Sequence, residues 1–377
     1  MRKNWPALLF LFFFCVQARA EIKFNEGDRI LLYGNSFIER MQQNGFFEAA
    51  VQLANPGKGI ELRSLAWTGD ELGHRLRPER YVNHLKKLLD KWPADYVILG
   101  FGLYESFAGT SGIESFKADL NGYLDEMKRR HSEAKIILLS PIANEDLNHP
   151  YYPDPAQRNG EIKSYVDAMS TIAESREIQF IDLFDFSKSE YAGHKKSLTD
   201  NGVHLNSYGH ELIAGHLSRN ILGDRAYDGI NKERISSVAR AVSRKAQYVS
   251  TIVRPVNTVL YFGVRGRANE YNTEIPRYHE LIKGSDERIH AIVRDKTLNF
   301  DSSPLTLEPL FEREPAKLPS PEEMLKSFKV ADGYAVNLFA SHCRGPLLGT
   351  CPKTRSLFLR IQTVTGAQTN QRSLQII

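Results

Sequence analysis

The chain has 377 residues, 42% hydrophobic and 25% charged, the balance of an ordinary globular protein with room for two domains. Its formal charge of +4 falls to +1 without the first twenty residues, which hold Arg2, Lys3 and Arg19 and no acid, and no nucleic-acid motif accompanies it, so a nucleic-acid partner is not expected. Three cysteines, Cys15, Cys343 and Cys351, are too few for a disulfide-built fold, and the last two lack a Cys or His neighbour at zinc-like spacing.

In chain order, Arg2 and Lys3 precede an apolar run from Ala7 to Val16, and Ala18-Arg19-Ala20 supplies a small-x-small cleavage pattern. Residues 1–20 therefore read as a secretory signal peptide, and an exported protein, periplasmic or secreted, is expected. No later segment is long and apolar enough to span a bilayer.

Ile30-Leu31-Leu32-Tyr33 is a short buried strand that stops at Gly34, and a helix is expected from there through Met41 and Phe47 to Val51. Ser36 sits on this strand-to-helix turn, where a side chain projects at the C-terminal edge of a parallel sheet and helix N–H groups can face an anion. Taken alone, Ser36 is more often an ordinary helix cap than a nucleophile. Further strands are expected at Ile60–Trp67, ending in Thr68-Gly69-Asp70, at Tyr96–Leu99, closed by Gly100-Phe101-Gly102, at Ile136–Ser140 and at Ile178–Leu183. Helices are expected at Leu85–Lys91, Phe116–Arg130, Ile162–Glu174 and Tyr208–Leu217, with a long surface loop over Pro141–Gly160 bordering the site. Strands alternating with amphipathic helices give a doubly wound parallel sheet with helices on both faces.

From Ser236 the pattern becomes helical. We read 21–225 as the α/β domain, 226–312 as a helical extension, 313–340 as a Pro-rich linker and the start of another module, and 341–377 as a disordered tail. The basic stretch Arg234–Arg267, with Arg240, Arg244, Lys245, Arg254 and Arg265, reads as a solvated helix face.

Leu198-Thr199-Asp200-Asn201-Gly202-Val203-His204 lies between the fifth strand and the next helix. A His there can reach the strand edge that carries Ser36, and an acid in the same turn can orient its ring, which are the parts of a covalent hydrolase. On its own His204 is an ordinary loop histidine.

Gly34-Asn35-Ser36, Gly69, Gly102-Leu103-Tyr104-Glu105 and Asp200/Asn201 with His204 resemble the ordered blocks of the SGNH, or GDSL-type, hydrolases over about 28–220. That resemblance implies a flavodoxin-like three-layer α/β/α fold and esterase chemistry on a small-molecule or carbohydrate ester. It implies Ser36 as nucleophile, His204 as general base, and the Ser36 and Gly69 N–H groups as oxyanion donors. No cofactor or metal is implied, and phosphoryl transfer is disfavoured by the lack of clustered metal ligands around Ser36. Three positions depart from the family. Asn35 replaces an Asp, Asn201 stands where the triad Asp is expected with Asp200 one residue early, and Tyr104 replaces the oxyanion Asn. Glu105 is expected at the surface or behind the catalytic groups rather than as a catalytic acid.

Arg254-Pro255-Val256-Asn257, Tyr261–Arg267 and Pro276–Ile289 resemble the extension that follows such a domain in large exported bacterial proteins, ahead of a propeller-like dehydrogenase and a c-type haem domain. Pro321–Val330 and Tyr334–Ala340 resemble the opening strand of that next module, which implies a truncated or frame-shifted product. The chain has no Cys-x-x-Cys-His, so no haem is expected in it.

Overall fold

Ile30, Leu31, Leu32 and Tyr33 are buried, as a strand covered on both faces by helices requires. The computed structural model of the chain describes residues 21–72, 79–254, 268–295, 320–329, 332, 334–340, 358–363 and 371–373. Residues 1–20, read above as a signal peptide, Cys343, Cys351 and residues 255–267 lie outside the described residues.

The first unit contains β1 (Arg29–Gly34), α1 (Ser36–Asn44), α2 (Phe46–Ala54), β2 (Glu61–Ser64), α3 (Glu79–Lys91), β3 (Tyr96–Gly100), a 3₁₀ turn over Glu105–Gly112, α4 (Ile113–Arg130) and β4 (Lys135–Leu139). It continues through α5 (Pro155–Ser175), β5 (Gln179–Ile181), α6 (Phe184–Gly193), α7 (Ser207–Leu222), α8 (Asp224–Asp228), α9 (Lys232–Val253) and α10 (Ala268–Arg294). The five strands form one all-parallel sheet in the order β2-β1-β3-β4-β5, the flavodoxin-like doubly wound arrangement expected from the sequence. One face, with Ile30 and Leu32, packs against Ile38, Phe47, Leu217 and Val238. The other, with Leu31 and Tyr33, packs against Leu88, Leu120 and Met169. The C-terminal ends of β1 and β3, and the loop after β2, meet at one edge, where Asn35 N donates to Gly100 O and Trp67 N donates to Gly34 O.

Two local expectations are corrected. The single helix expected from Gly34 to Val51 is two helices, because Gly45 adopts φ +76° and ends α1; a Cβ there would lie 2.4 Å from Ala239 O. The loop after β4 ends earlier than Gly160, since Asp154 caps α5 through Ala156 N and Pro155 takes the first helical position.

Gly34 is needed for proximity. A Cβ on it would lie 2.4 Å from Gly100 O, its partner in the β1–β3 ladder, whereas a Cβ on Gly100 would meet only the Ile38 side chain, 2.7 Å away. Gly34→Ala must push two strands apart, while Gly100→Ala only turns a rotamer. We expect Gly34→Ala to cost about 1–3 kcal/mol, the usual range for overpacking, and Gly100→Ala to cost less. Denaturant titrations giving the reverse order would refute this account.

The solvated-face reading of the basic stretch fails at Lys245. This residue is 0% exposed, paired with Glu48 of α2 and with Asp286 of α10 at 2.8 Å. Arg63 of β2 bonds the same Asp286 at 2.6 Å, and Gln42 of α1 donates to Glu48 at 2.6 Å. Ile235, Val238, Val242, Val249 and Ile252 of α9 are buried. The helices α9 and α10 thus share a compact unit with the α/β domain.

The second unit begins near Leu307. Its helix α11 (Pro321–Ser327) opens with a capping box between Ser320 and Glu323. Tyr334–Ala340, Phe358–Thr363 and Gln371–Ser373 form a three-stranded antiparallel sheet, β6-β7-β8. The disordered-tail expectation for 341–377 is corrected at the last two segments; in Phe358–Thr363, Leu359 and Ile361 alternate with Arg360 and Gln362, a period-2 pattern too short to stand out.

Candidate active site

Ser36 is the first residue of α1, and the capping role falls to Asn35, whose Oδ1 accepts from Phe37 N at 3.1 Å. The Ser36 hydroxyl is therefore released from capping. Its Oγ lies 2.6 Å from the Tyr104 hydroxyl, and the residue is only 1% exposed. Tyr104 follows β3, and its hydroxyl is also 3.5 Å from His204 Nε2. The tyrosine oxygen thus stands between the two.

His204 is carried by a loop closed on itself: Asp200 N donates to His204 O, Asn206 N donates to Leu198 O, and Thr199 bridges to Leu205. Buried Glu145, in the loop after β4, fastens this loop from below. Its carboxylate accepts from Leu198 N at 2.9 Å, Thr199 N at 2.7 Å and Thr199 Oγ1 at 2.5 Å, and its own N–H donates to Gly202 O.

Of the two candidates for orienting the imidazole, Asn201 touches it: Oδ1 and Nδ2 lie 3.2 and 3.1 Å from His204 Nδ1. The Asp200 carboxylate is exposed and faces Arg40 instead, at 3.9 Å. Burial, helped by Arg40 and opposed by Asp200, holds the His204 pKa below 6.5, which favours the neutral ring.

Gly69 occupies the turn after β2 with φ +78°, a conformation that favours glycine. Glu39 of α1 anchors that turn, accepting from Thr68 N and Thr68 Oγ1, each at 2.6 Å, while Arg254 pairs with its other oxygen at 3.3 Å. Glu105 joins the Gly69 and Tyr104 loops by accepting from Leu72 N at 3.0 Å and Gly102 N at 2.8 Å. Burial, against those two bonds, pushes its pKa up to about 7.

Sequence reasoning missed Glu39 and Glu145. Glu39 lies three residues after the nucleophile candidate, on an expected helix, where acids usually face solvent. Glu145 sits in a Pro- and Asn-rich loop whose composition reads as surface. Neither spacing reveals that a carboxylate gathers backbone N–H groups from a distant loop.

Residues 32–212 match the GDSL-like Lipase/Acylhydrolase family. This stretch is a GDSL-like lipase/acylhydrolase domain. The GDSL-like domain runs from β1 into α7 and includes Ser36, Gly69, Tyr104, Asp200, Asn201 and His204; α8, α9 and α10 lie beyond it. No curated protein matches the chain. Among solved structures, a putative GDSL-like lipase from Parabacteroides merdae is 14% identical with a TM-score of 0.45, covering 54% of this chain and 99% of that one. A catalytic mutant of an acetylxylan esterase from Geobacillus stearothermophilus is 16% identical with a TM-score of 0.42, covering 53% and 96%. A putative SGNH hydrolase from Slackia heliotrinireducens is 16% identical with a TM-score of 0.39, covering 52% and 99%. No helix among the described residues is long and apolar enough to cross a membrane.

Proposed function

We propose that the GDSL-like domain is an exported serine esterase that removes acyl groups, such as those carried by carbohydrates, through an acyl-enzyme on Ser36. The supporting observation is the chain of contacts from Ser36 Oγ through Tyr104 to His204 Nε2 at the C-terminal edge of the sheet. In this reading Ser36 Oγ attacks the ester carbonyl, its proton ends on His204, and the backbone N–H groups of Ser36 and Gly69 hold the oxyanion. One such donor is worth about 3 kcal/mol of barrier, so the Glu39 anchor on the Gly69 turn bears directly on rate. The protonated imidazole then gives its proton to the leaving alcohol oxygen as the carbon–oxygen bond breaks, and water enters by the reverse sequence. Export rests on the leader pattern in residues 1–20.

A second reading has its own observation: Ser36 is 1% exposed and its hydroxyl is hydrogen-bonded to Tyr104, as it would be in a binding module that keeps the fold without turnover. A fluorophosphonate probe separates the two. The esterase reading expects labelling of the purified chain that disappears in Ser36→Ala. An unlabelled wild type that still binds an acetylated sugar identifies the module.

A further inference from the structure

The position of Tyr104 does not suit a mere substitute for an oxyanion donor. Its hydroxyl lies 2.6 Å from the atom that must lose a proton and 3.5 Å from the atom that must receive one. A phenol can accept and donate at the same time, whereas an amide NH₂ group only donates. The hydrogen-bond order along the site is therefore Ser36, Tyr104, His204, Asn201, with Asn201 on the far nitrogen of the ring.

We infer that Tyr104 is a catalytic residue that relays the proton between Ser36 and His204; this rests on the esterase reading above. In acylation, the Ser36 Oγ–H bond breaks as Oγ bonds to the ester carbonyl carbon. The Ser36 proton passes to Tyr104 Oη as the Tyr104 proton passes to His204 Nε2, leaving a neutral phenol, an imidazolium and the tetrahedral oxyanion. When the carbon–oxygen bond to the leaving alcohol breaks, the imidazolium returns a proton through the same phenol to the alkoxide. Deacylation repeats both transfers with water as nucleophile, so the relay ends as it began. The Ser36–Tyr104 distance already matches an O–H···O hydrogen bond. The Tyr104–His204 separation must close by about 0.5 Å, within the tightening that catalytic hydrogen bonds undergo around bound substrate.

The relay accounts for two other features. His204 need not reach Ser36 directly, so the loop that carries it can be fastened by Glu145 with the ring one hydroxyl away from the nucleophile. Burial of Ser36 limits the bulk water that competes for the proton in transit.

The test uses the purified full chain and its Tyr104→Phe and Tyr104→Asn variants, with matched thermal midpoints as the folding control. Substrates are an alkyl acetate and p-nitrophenyl acetate, whose leaving group scarcely needs a proton. The relay predicts that both variants lose about 10²–10⁴-fold in kcat/KM on the alkyl ester. They lose markedly less on p-nitrophenyl acetate, and the curved proton inventory of the wild type becomes linear. Equal losses on the two esters mark Tyr104 as an oxyanion donor and overturn the relay. Unchanged or faster turnover in either variant marks it as a cover over Ser36 and also overturns it. In both cases the wild type still labels with fluorophosphonate. A wild type that does not label removes the esterase reading itself, and the relay with it.

Discussion

Lys245→Met is expected to destabilise the protein by about 3–5 kcal/mol, the range for removing one partner from a buried ion pair. Lys245 and Glu48 are each 0% exposed, and the ammonium sits between Glu48 and Asp286. Burial alone would push the Asp286 carboxyl up, yet Lys245 and Arg63 together hold it below the usual carboxylate range. Without the lysine, two carboxylates from α2 and α10 remain buried, with Arg63 and Gln42 unable to compensate both. The discriminating measurement is a double-mutant cycle. Glu48→Gln added to Lys245→Met removes the uncompensated charge and should recover a substantial share of the loss. If Lys245→Met unfolds within about 1 kcal/mol of the wild type, the cluster does not hold these helices together.

Asn201→Asp is expected to raise turnover by at least about tenfold. An amide offers His204 Nδ1 both an acceptor at 3.2 Å and a donor at 3.1 Å, so the ring is free to take either tautomer. Only the tautomer with Nδ1–H leaves Nε2 able to receive a proton. A carboxylate is acceptor-only and selects it. Replacing the acid by an amide costs serine hydrolases up to about 10⁴. The Oδ1 position already accepts from His204 N at 2.9 Å and Val203 N at 3.3 Å, so an Asp would be held in the same place. The pH dependence supplies a second readout. With its pKa held below 6.5 by burial and Arg40, the wild-type base is neutral above that region, and kcat/KM should rise with pH through a limb below 6.5. A carboxylate beside the ring favours imidazolium, so the limb should move upward in Asn201→Asp. An unmoved limb together with unchanged turnover would remove Asn201 from the mechanism.

The sheet was legible in the sequence because β1, β3 and β4 are apolar runs closed by Gly or Ser, and helices with a 3.6-residue stripe fill the intervals between strands. Boundaries were less so: Val51 could not announce that Gly45, beneath Ala239, breaks the helix leading to it. The blocks around Ser36, Gly69, Tyr104 and His204 were visible as motifs at strand ends, whereas the order of hydrogen bonds among them is a matter of side-chain length. Tyr104 looked like a missing amide because position carries no record of reach. Lys245 was hidden for a related reason, since one lysine in a run of arginines looks solvated even where the neighbouring stripe of Ile235, Val238, Val242 and Val249 points inward.

The ion cluster that joins Arg63, Glu48, Lys245 and Asp286 also bears on how the chain is made. β1 and α1, which carry Ser36, emerge early from the ribosome, yet the charge that α2 contributes stays uncompensated until α9 and then α10 have been synthesised. The buried carboxylate of α2 is thus matched by a lysine 197 residues further along the chain, so the fastening of this helix depends on the last helices of the unit.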